Sequence, residues 1–226
     1  MTIQIITLFP KMFGGVLNTS MLRKAQDKKL VEYKLINLRD FGLGSRKTVD
    51  DTPYGGGAGM VLRPEPLVAA IEAAKQKARF RQGYGGQAKS KKQKARIILM
   101  TPRGEKFDQT KARELSKLEN ITLVCGRYEG YDERVTQFID EEISVGDYVL
   151  TGGELPAMIV VDAVTRLIPG VLGGETSAEK ESHSQPGVIE HPQYTRPEEF
   201  RGLKVPDVLI SGHHAEIDKW RKTQSK

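Results

Sequence analysis

Apolar residues fall into short unbroken runs, separated by stretches in which they recur every three or four positions. IQIITL (3–8), RIILM (96–100) and ITLVC (121–125) are runs of the kind that strands covered on both faces require. VEYKLIN (31–37) alternates with period two and predicts a further strand, and EISVGDYVL (142–150) extends the series. The intervening segments carry helical signals. Ser20–Lys29 is expected to open on a serine cap, Pro66–Lys77 is amphipathic and alanine-rich, and Asp108 caps a helix to Lys117. Pro156–Leu167 starts with proline in its first turn, and Ala215–Lys222 forms a terminal helix with Trp220 on its apolar side. Strands separated by helices predict an α/β fold, a mostly parallel sheet with helices on both faces. Gly170–Pro197 has little periodicity and reads as a linker, and no internal repeat is present.

A chain of 226 residues is long enough for one large domain with a small appendage. No apolar run reaches membrane-spanning length. MTIQIITLFPKMF lacks a basic start and meets Pro10 early, so no secretory leader is expected. The single cysteine, Cys125, ends a predicted strand, where it is expected to pack as a small hydrophobe; a reducing, cytoplasmic setting fits.

The net charge of +6 is unevenly placed. Nine Lys/Arg and no acid lie between Lys75 and Arg96, so subtracting nine from +6 leaves the remainder at −3. That segment is rich in Gly, Gln and Ser. It reads either as a solvated insertion or as a cationic arm adding salt-dependent affinity for phosphates.

Candidate chemistry sits in glycine-bearing turns. TPRG (101–104), GRYEG (126–130) and TGGE (151–154) each follow a predicted strand, so all three fall on one edge of the sheet and describe a shared pocket. DDTPYGGGAGM (50–60) is built for close approach of backbone to a ligand. It ends in Met60-Val61-Leu62 without the lysine of a phosphate-binding loop, and G-x-G-x-x-G after the first strand is missing. His213 and His214 are adjacent, point apart and have no further ligand at metal-binding spacing, so no metal is expected.

In order along the chain, DDTPYGGGAGMVL, TPRGEKFDQ, LVCGRYEGYDERV, EISVGDYVLTGGELPAMIVVDAVTRLIPGVLG, HPQYTRPEEFRG and VPDVLISGHHAEIDKWR resemble motifs of the bacterial tRNA (guanine-N1)-methyltransferases of the TrmD type. The resemblance runs from Ile3 to about Arg221. It implies a SPOUT-type α/β fold with a C-terminal trefoil knot over 1–169, the basic insertion at 75–96, a linker at 170–191 and a small, shortened helical tRNA-binding domain at 192–226. It further implies S-adenosyl-L-methionine as methyl donor, tRNA as partner, no membrane, and a cytoplasmic homodimer whose active sites are shared between subunits. The reaction implied is methylation of N1 of guanosine 37, next to the anticodon.

The same resemblance assigns residues. Leu99, Thr101, Pro102, Gly126, Tyr128, Glu129, Gly130, Ser144, Val145, Gly146, Tyr148, Leu150, Gly152, Gly153 and Pro156 occupy donor positions. Gly153 is expected in a turn where a side chain would project toward the ligand without harming the fold. Asp50, Tyr54, Gly55, Gly56, Gly57 and Gly59 face the tRNA, with Tyr54 available to stack on a base. Guanine N1 carries a proton, so a general base is required, and charge that spreads to O6 suits an arginine. Arg166 matches the family's arginine. The base falls at Glu181, where the pattern has aspartate, with Glu179 as a rival. Two other readings stay open: another SPOUT RNA methyltransferase, and a catalytically weakened tRNA-binding relative.

Overall fold

The computed structural model describes residues 1–80, 95–173, 181–184 and 187–225. It has two compact units, Met1–Leu172 and Gly173–Lys226. In the first, strands β1 (Thr2–Thr7), β2 (Glu32–Asn37), β3 (Asp50–Asp51), β4 (Val61–Leu62), β5 (Ala95–Lys106), β6 (Asn120–Cys125) and β7 (Glu141–Ser144) alternate with helices α1 (Gly14–Leu17), α2 (Ser20–Asp27), α3 (Pro64–Phe80), α4 (Gln109–Leu115) and α5 (Glu154–Thr165). The main sheet has the order β2-β1-β6-β5-β7, and every pairing in it is parallel.

Alternation along the strands divides the core into two layers. Ile3, Ile5, Ile98, Met100, Ile121, Leu123 and Cys125 pack with α2, α4 and α5 on one face. Ile6, Ile97, Leu99 and Val124 pack with Leu67, Ala70, Ile71 and Ala74 of α3 on the other. The α/β architecture expected from the apolar pattern is therefore present. Cys125 is buried, and burial pushes its thiol well above the ordinary value.

Three local expectations are corrected. The N-cap of α2 is Thr19, not Ser20; neither side chain caps the helix, and Ser20 has φ +51°. The Thr19 hydroxyl instead donates back to the Gly15 carbonyl. Strand β5 does not stop at Met100. It continues to Lys106 with a shift of register between Met100 and Glu105, so Thr101–Gly104 is a bulge within the strand. Strand β7 ends at Ser144 and does not run to Leu150, because the Ser144 hydroxyl exchanges hydrogen bonds with Gly146 (3.1 and 3.3 Å) and Gly146 sits at φ +151°. By contrast Asp108 caps α4 as expected, its carboxylate accepting from the Lys111 amide at 2.8 Å.

The second unit holds a hairpin, β8 (Glu199–Phe200) with β9 (Leu203–Lys204), and helices α6 (Asp207–Ile210) and α7 (His214–Gln224). The Trp220 ring on α7 lies 6.2 Å from the rings of both His191 and Tyr194. His213 is the N-cap of α7 and His214 its first residue; both are exposed. Among the described residues no group of three His, Cys, Asp or Glu is placed to hold a metal. No helix there is long and apolar enough to cross a membrane.

Candidate active site

The β5 bulge, the turn after β6 and the segment between β7 and α5 enclose one cavity of about 500 Å³. Its wall contains Thr101 and Pro102; Gly126, Tyr128, Glu129 and Gly130; Ser144, Val145, Gly146, Tyr148 and Leu150; and Gly152 and Gly153. The three glycine-bearing turns are thus brought together. Two residues expected at the donor site are not on this wall. Leu99 is fully buried in the layer against α3, and Pro156 is buried in α5.

Arg103 and Arg127, carried by two of these turns but outside the expected donor positions, also line the cavity, as does Tyr131. Arg103 donates to Glu133 at 2.7 Å and to the Tyr131 hydroxyl at 3.2 Å, which holds its guanidinium above the ordinary arginine range. Arg127 donates to Glu154 at 2.9 Å and to the Thr151 carbonyl at 3.0 Å. Glu154 is 1% exposed. Its other oxygen accepts from the Thr7 hydroxyl at 2.8 Å, and that hydroxyl accepts from the Phe9 amide at 2.9 Å. Backbone closes the same junction, with the Gly153 amide donating to the Gly126 carbonyl at 2.8 Å.

Close packing explains the glycines here. A Cβ on Gly153 would stand 2.7 Å from Cys125 Cα and 2.8 Å from the Gly126 nitrogen. A side chain there meets β6 backbone, not the cavity, so the expectation of a harmless projection toward a ligand is overturned. A Cβ on Gly59 would meet the Glu129 side chain.

The Asp50–Met60 segment is a hairpin tip carried by β3 and β4, with Asp50 paired to Leu62. Gly55, Gly56, Gly57 and Gly59 all adopt positive φ, which glycine alone reaches without strain. Tyr54 is fully exposed. The tip is hydrogen-bonded to the cavity rim: the Glu129 amide donates to Met60 (3.0 Å), Leu62 to Gly130 (3.0 Å) and Asp132 to Leu62 (2.9 Å).

Arg166 follows α5 as its C-cap. Twelve residues at about 1.5 Å each place it roughly 18 Å along the axis from the Gly153 end that borders the cavity. Within one chain the structure does not bring Arg166 to that cavity. Glu181 belongs to the second unit, where its carbonyl accepts from the Ser184 amide at 3.0 Å. Glu179, and the basic segment between residues 81 and 94, lie outside the described residues.

The outer face of α5 is a stripe: Leu155, Ile159 and Asp162 are exposed, and Arg166 continues it at the same spacing. Phe9, Met12 and Val16 are also exposed, and the Arg127 guanidinium lies 4.4 Å above the Phe9 ring.

Residues 1–226 match a family model described as tRNA (Guanine-1)-methyltransferase TrmD. The chain is 52% identical over 226 residues to a tRNA (guanine-N(1)-)-methyltransferase of Halalkalibacterium halodurans, covering all of this chain and 86% of that one. It is 55% identical to the protein of the same name from Pelotomaculum thermopropionicum, covering 85% of it. With that of Geobacillus kaustophilus the identity is 53%, over 86% of its length.

Proposed function

We propose, since the chain belongs to the TrmD family of tRNA (guanine-1)-methyltransferases, that its cavity takes the methyl donor and its glycine hairpin the tRNA. The protein is a tRNA (guanine-N1)-methyltransferase acting on guanosine 37, with S-adenosyl-L-methionine as the donor. The observation that carries the reading is the junction of three glycine turns around one cavity of about 500 Å³, a size suited to a folded nucleoside ligand. Gly126 lies open on that wall, since a Cβ there would make only ordinary contacts, at 3.5 Å or more. The backbone groups of the three turns supply donors and acceptors for adenosine and amino-acid parts. S-adenosyl-L-methionine brings a methyl group on a sulfonium, which leaves a neutral thioether when the new N1–carbon bond forms.

The protein's own residues handle the proton and the charge. Glu181 accepts the N1 proton, and Arg166 meets the negative charge that spreads to guanine O6. Glu129 and the Gly55–Gly59 tip, joined by backbone at the cavity rim, hold the base against the donor, with Tyr54 stacking on a neighbouring base. The close packing of Gly104 on the Glu142–Ile143 backbone supports the proposal that β5 to α5 form the family's trefoil knot. Gly173–Lys226 serves as the tRNA-binding part, and the nine cations between Lys75 and Arg96 add phosphate affinity.

Two copies make the site. The Leu155–Ile159–Asp162–Arg166 stripe suits a second α5 running antiparallel across a two-fold axis. That packing carries Arg166 of one chain toward the Gly153 end of the other. The test is methylation of tRNA with labelled donor, digestion to nucleosides and mass spectrometry. We expect 1-methylguanosine at position 37; a ribose-methylated product or no product overturns the proposal.

A further inference from the structure

We infer that Arg127 is a positioning residue: its guanidinium fixes the spacing between the two turns that hold the methyl donor. The inference rests on the donor-site reading above and names a residue outside the donor positions that the family resemblance assigns. Arg127 projects from the turn after β6 and reaches the other turn twice, at the Thr151 carbonyl and at the Glu154 carboxylate, 3.0 and 2.9 Å away. Thr151, Gly152 and Gly153 and the Gly126–Gly130 turn both line the cavity, so this side chain ties two adjoining segments of its wall together.

Its partners are themselves held in place by further contacts. Glu154 is almost wholly buried and is held from behind by the Thr7 hydroxyl. The Phe9 ring covers the guanidinium carbon at 4.4 Å, and Met12 Sδ lies 3.6 Å from Nη2. A planar, fixed fork of donors meets a carboxylate and a carbonyl at once, which a lysine ammonium does not reproduce. Tyr128, next in the chain, sits at φ +59°, a strained conformation that needs neighbouring contacts to hold it. The turn through Tyr128 is closed by backbone, the Arg127 carbonyl accepting from the Gly130 amide at 3.1 Å.

A purely structural ion pair and a positioning residue respond differently to a double substitution. Arg127→Met alone leaves Glu154 buried and unpaired, so the melting temperature falls. Arg127→Met with Glu154→Gln removes the orphaned charge, and melting returns toward the parental value. The Thr151 carbonyl still lacks its donor, so the dissociation constant for S-adenosyl-L-methionine, read by calorimetry, stays raised by about ten-fold or more. In turnover the loss falls on KM for the donor, with kcat at saturating donor near parental. Arg127→Lys recovers part of the affinity. A double variant with parental donor affinity, or Arg127→Met that melts early yet binds normally, overturns the inference while leaving the donor site intact. A parent protein that binds no donor overturns the donor-site reading and this inference with it.

Discussion

Gly153→Ala tests the packing of the candidate site with one methyl group. Gly153 has ordinary backbone angles, φ −79° and ψ −3°, so alanine introduces no conformational strain of its own. The cost is collision. The new Cβ would stand 2.7 Å from Cys125 Cα and 2.8 Å from the Gly126 nitrogen, where carbon contacts settle at about 3.5–4.0 Å. Both neighbours are backbone at the end of β6 and the start of the turn after it, so α5 must move out by roughly 1 Å, stretching the Gly153–Gly126 hydrogen bond. Overpacking of this kind costs about 1–3 kcal/mol, and with backbone on the opposing side the upper end applies. In a chain of this size about 3 kcal/mol lowers the melting temperature by roughly 6–12 °C. Gly126→Ala is the counterpart. Its Cβ would meet Met100 O at 3.5 Å, an ordinary contact, so melting stays within about 2 °C of the parent. The methyl occupies donor space, so donor affinity falls. Calorimetric melting and donor titration of both variants check the pair. Parental melting of Gly153→Ala, or parental donor affinity of Gly126→Ala, refutes the reasoning.

Glu181→Gln keeps size and hydrogen bonding without basicity, and should cut single-turnover methylation by about 100-fold or more with donor and tRNA binding unchanged; a parental rate removes Glu181 as the base. Burial pushes the Tyr33 phenol up to about 12 from 10.0, against the opposing effect of its hydrogen bond with Thr165. The unfolded chain sheds this proton first, so the stability it contributes is full below about pH 10 and is lost toward about pH 12; Tyr33→Phe should flatten that fall in chemical denaturation, and equal slopes would contradict it. Gly56→Asn should melt only slightly below the parent, by about 1 kcal/mol of stability or less, because asparagine carries the smallest strain of the side-chain-bearing residues at positive φ and its Cβ would meet nothing within 4 Å. It should lower kcat/KM for tRNA by about ten-fold with donor affinity kept, by misplacing the tip; unchanged kcat/KM would detach the hairpin from the substrate.

The parallel sheet was legible because its strands are buried on both faces. IQIIT and RIILM leave no polar side for solvent, and the helical segments between them carry apolar stripes. The Asp108 cap was legible because it is local. What escaped was long-range or conformational. Nothing in RIILM says that pairing resumes at Glu105 after a bulge. The period-two signal of EISVGDYVL persists past Ser144, while Gly146 turns the chain at φ +151°. Glu154 read as a loop carboxylate, yet it is buried by an arginine 27 residues away and a threonine 147 residues away. The candidate donor wall was largely legible from turns rich in glycine. Arg127 was not, since in GRYEG it looks like any exposed loop cation.

The outer face of α5 motivates the proposal that two copies build the site. Ala157, Val160, Val161 and Val164 face the core, yet Leu155 and Ile159, at 47% and 44% exposure, leave the opposite side of α5 apolar and uncovered. A helix apolar on nearly all sides belongs in an interior. The same helix has its N-terminus at the cavity and Arg166 at its far end, so the proposed antiparallel pairing of two copies would cover the apolar stripe and complete two sites together. Ile159→Lys separates these consequences. In one chain the position is open to solvent, so a lysine is accommodated and the fold is kept; across a two-fold axis its charge meets apolar surface or its own copy. Sedimentation should show monomers, and methylation should fall by about 100-fold through loss of the aligned arginine. Donor affinity should fall far less, because the cavity is built within each chain. A monomeric Ile159→Lys variant that methylates at the parental rate would show that each chain carries its own arginine to its own donor.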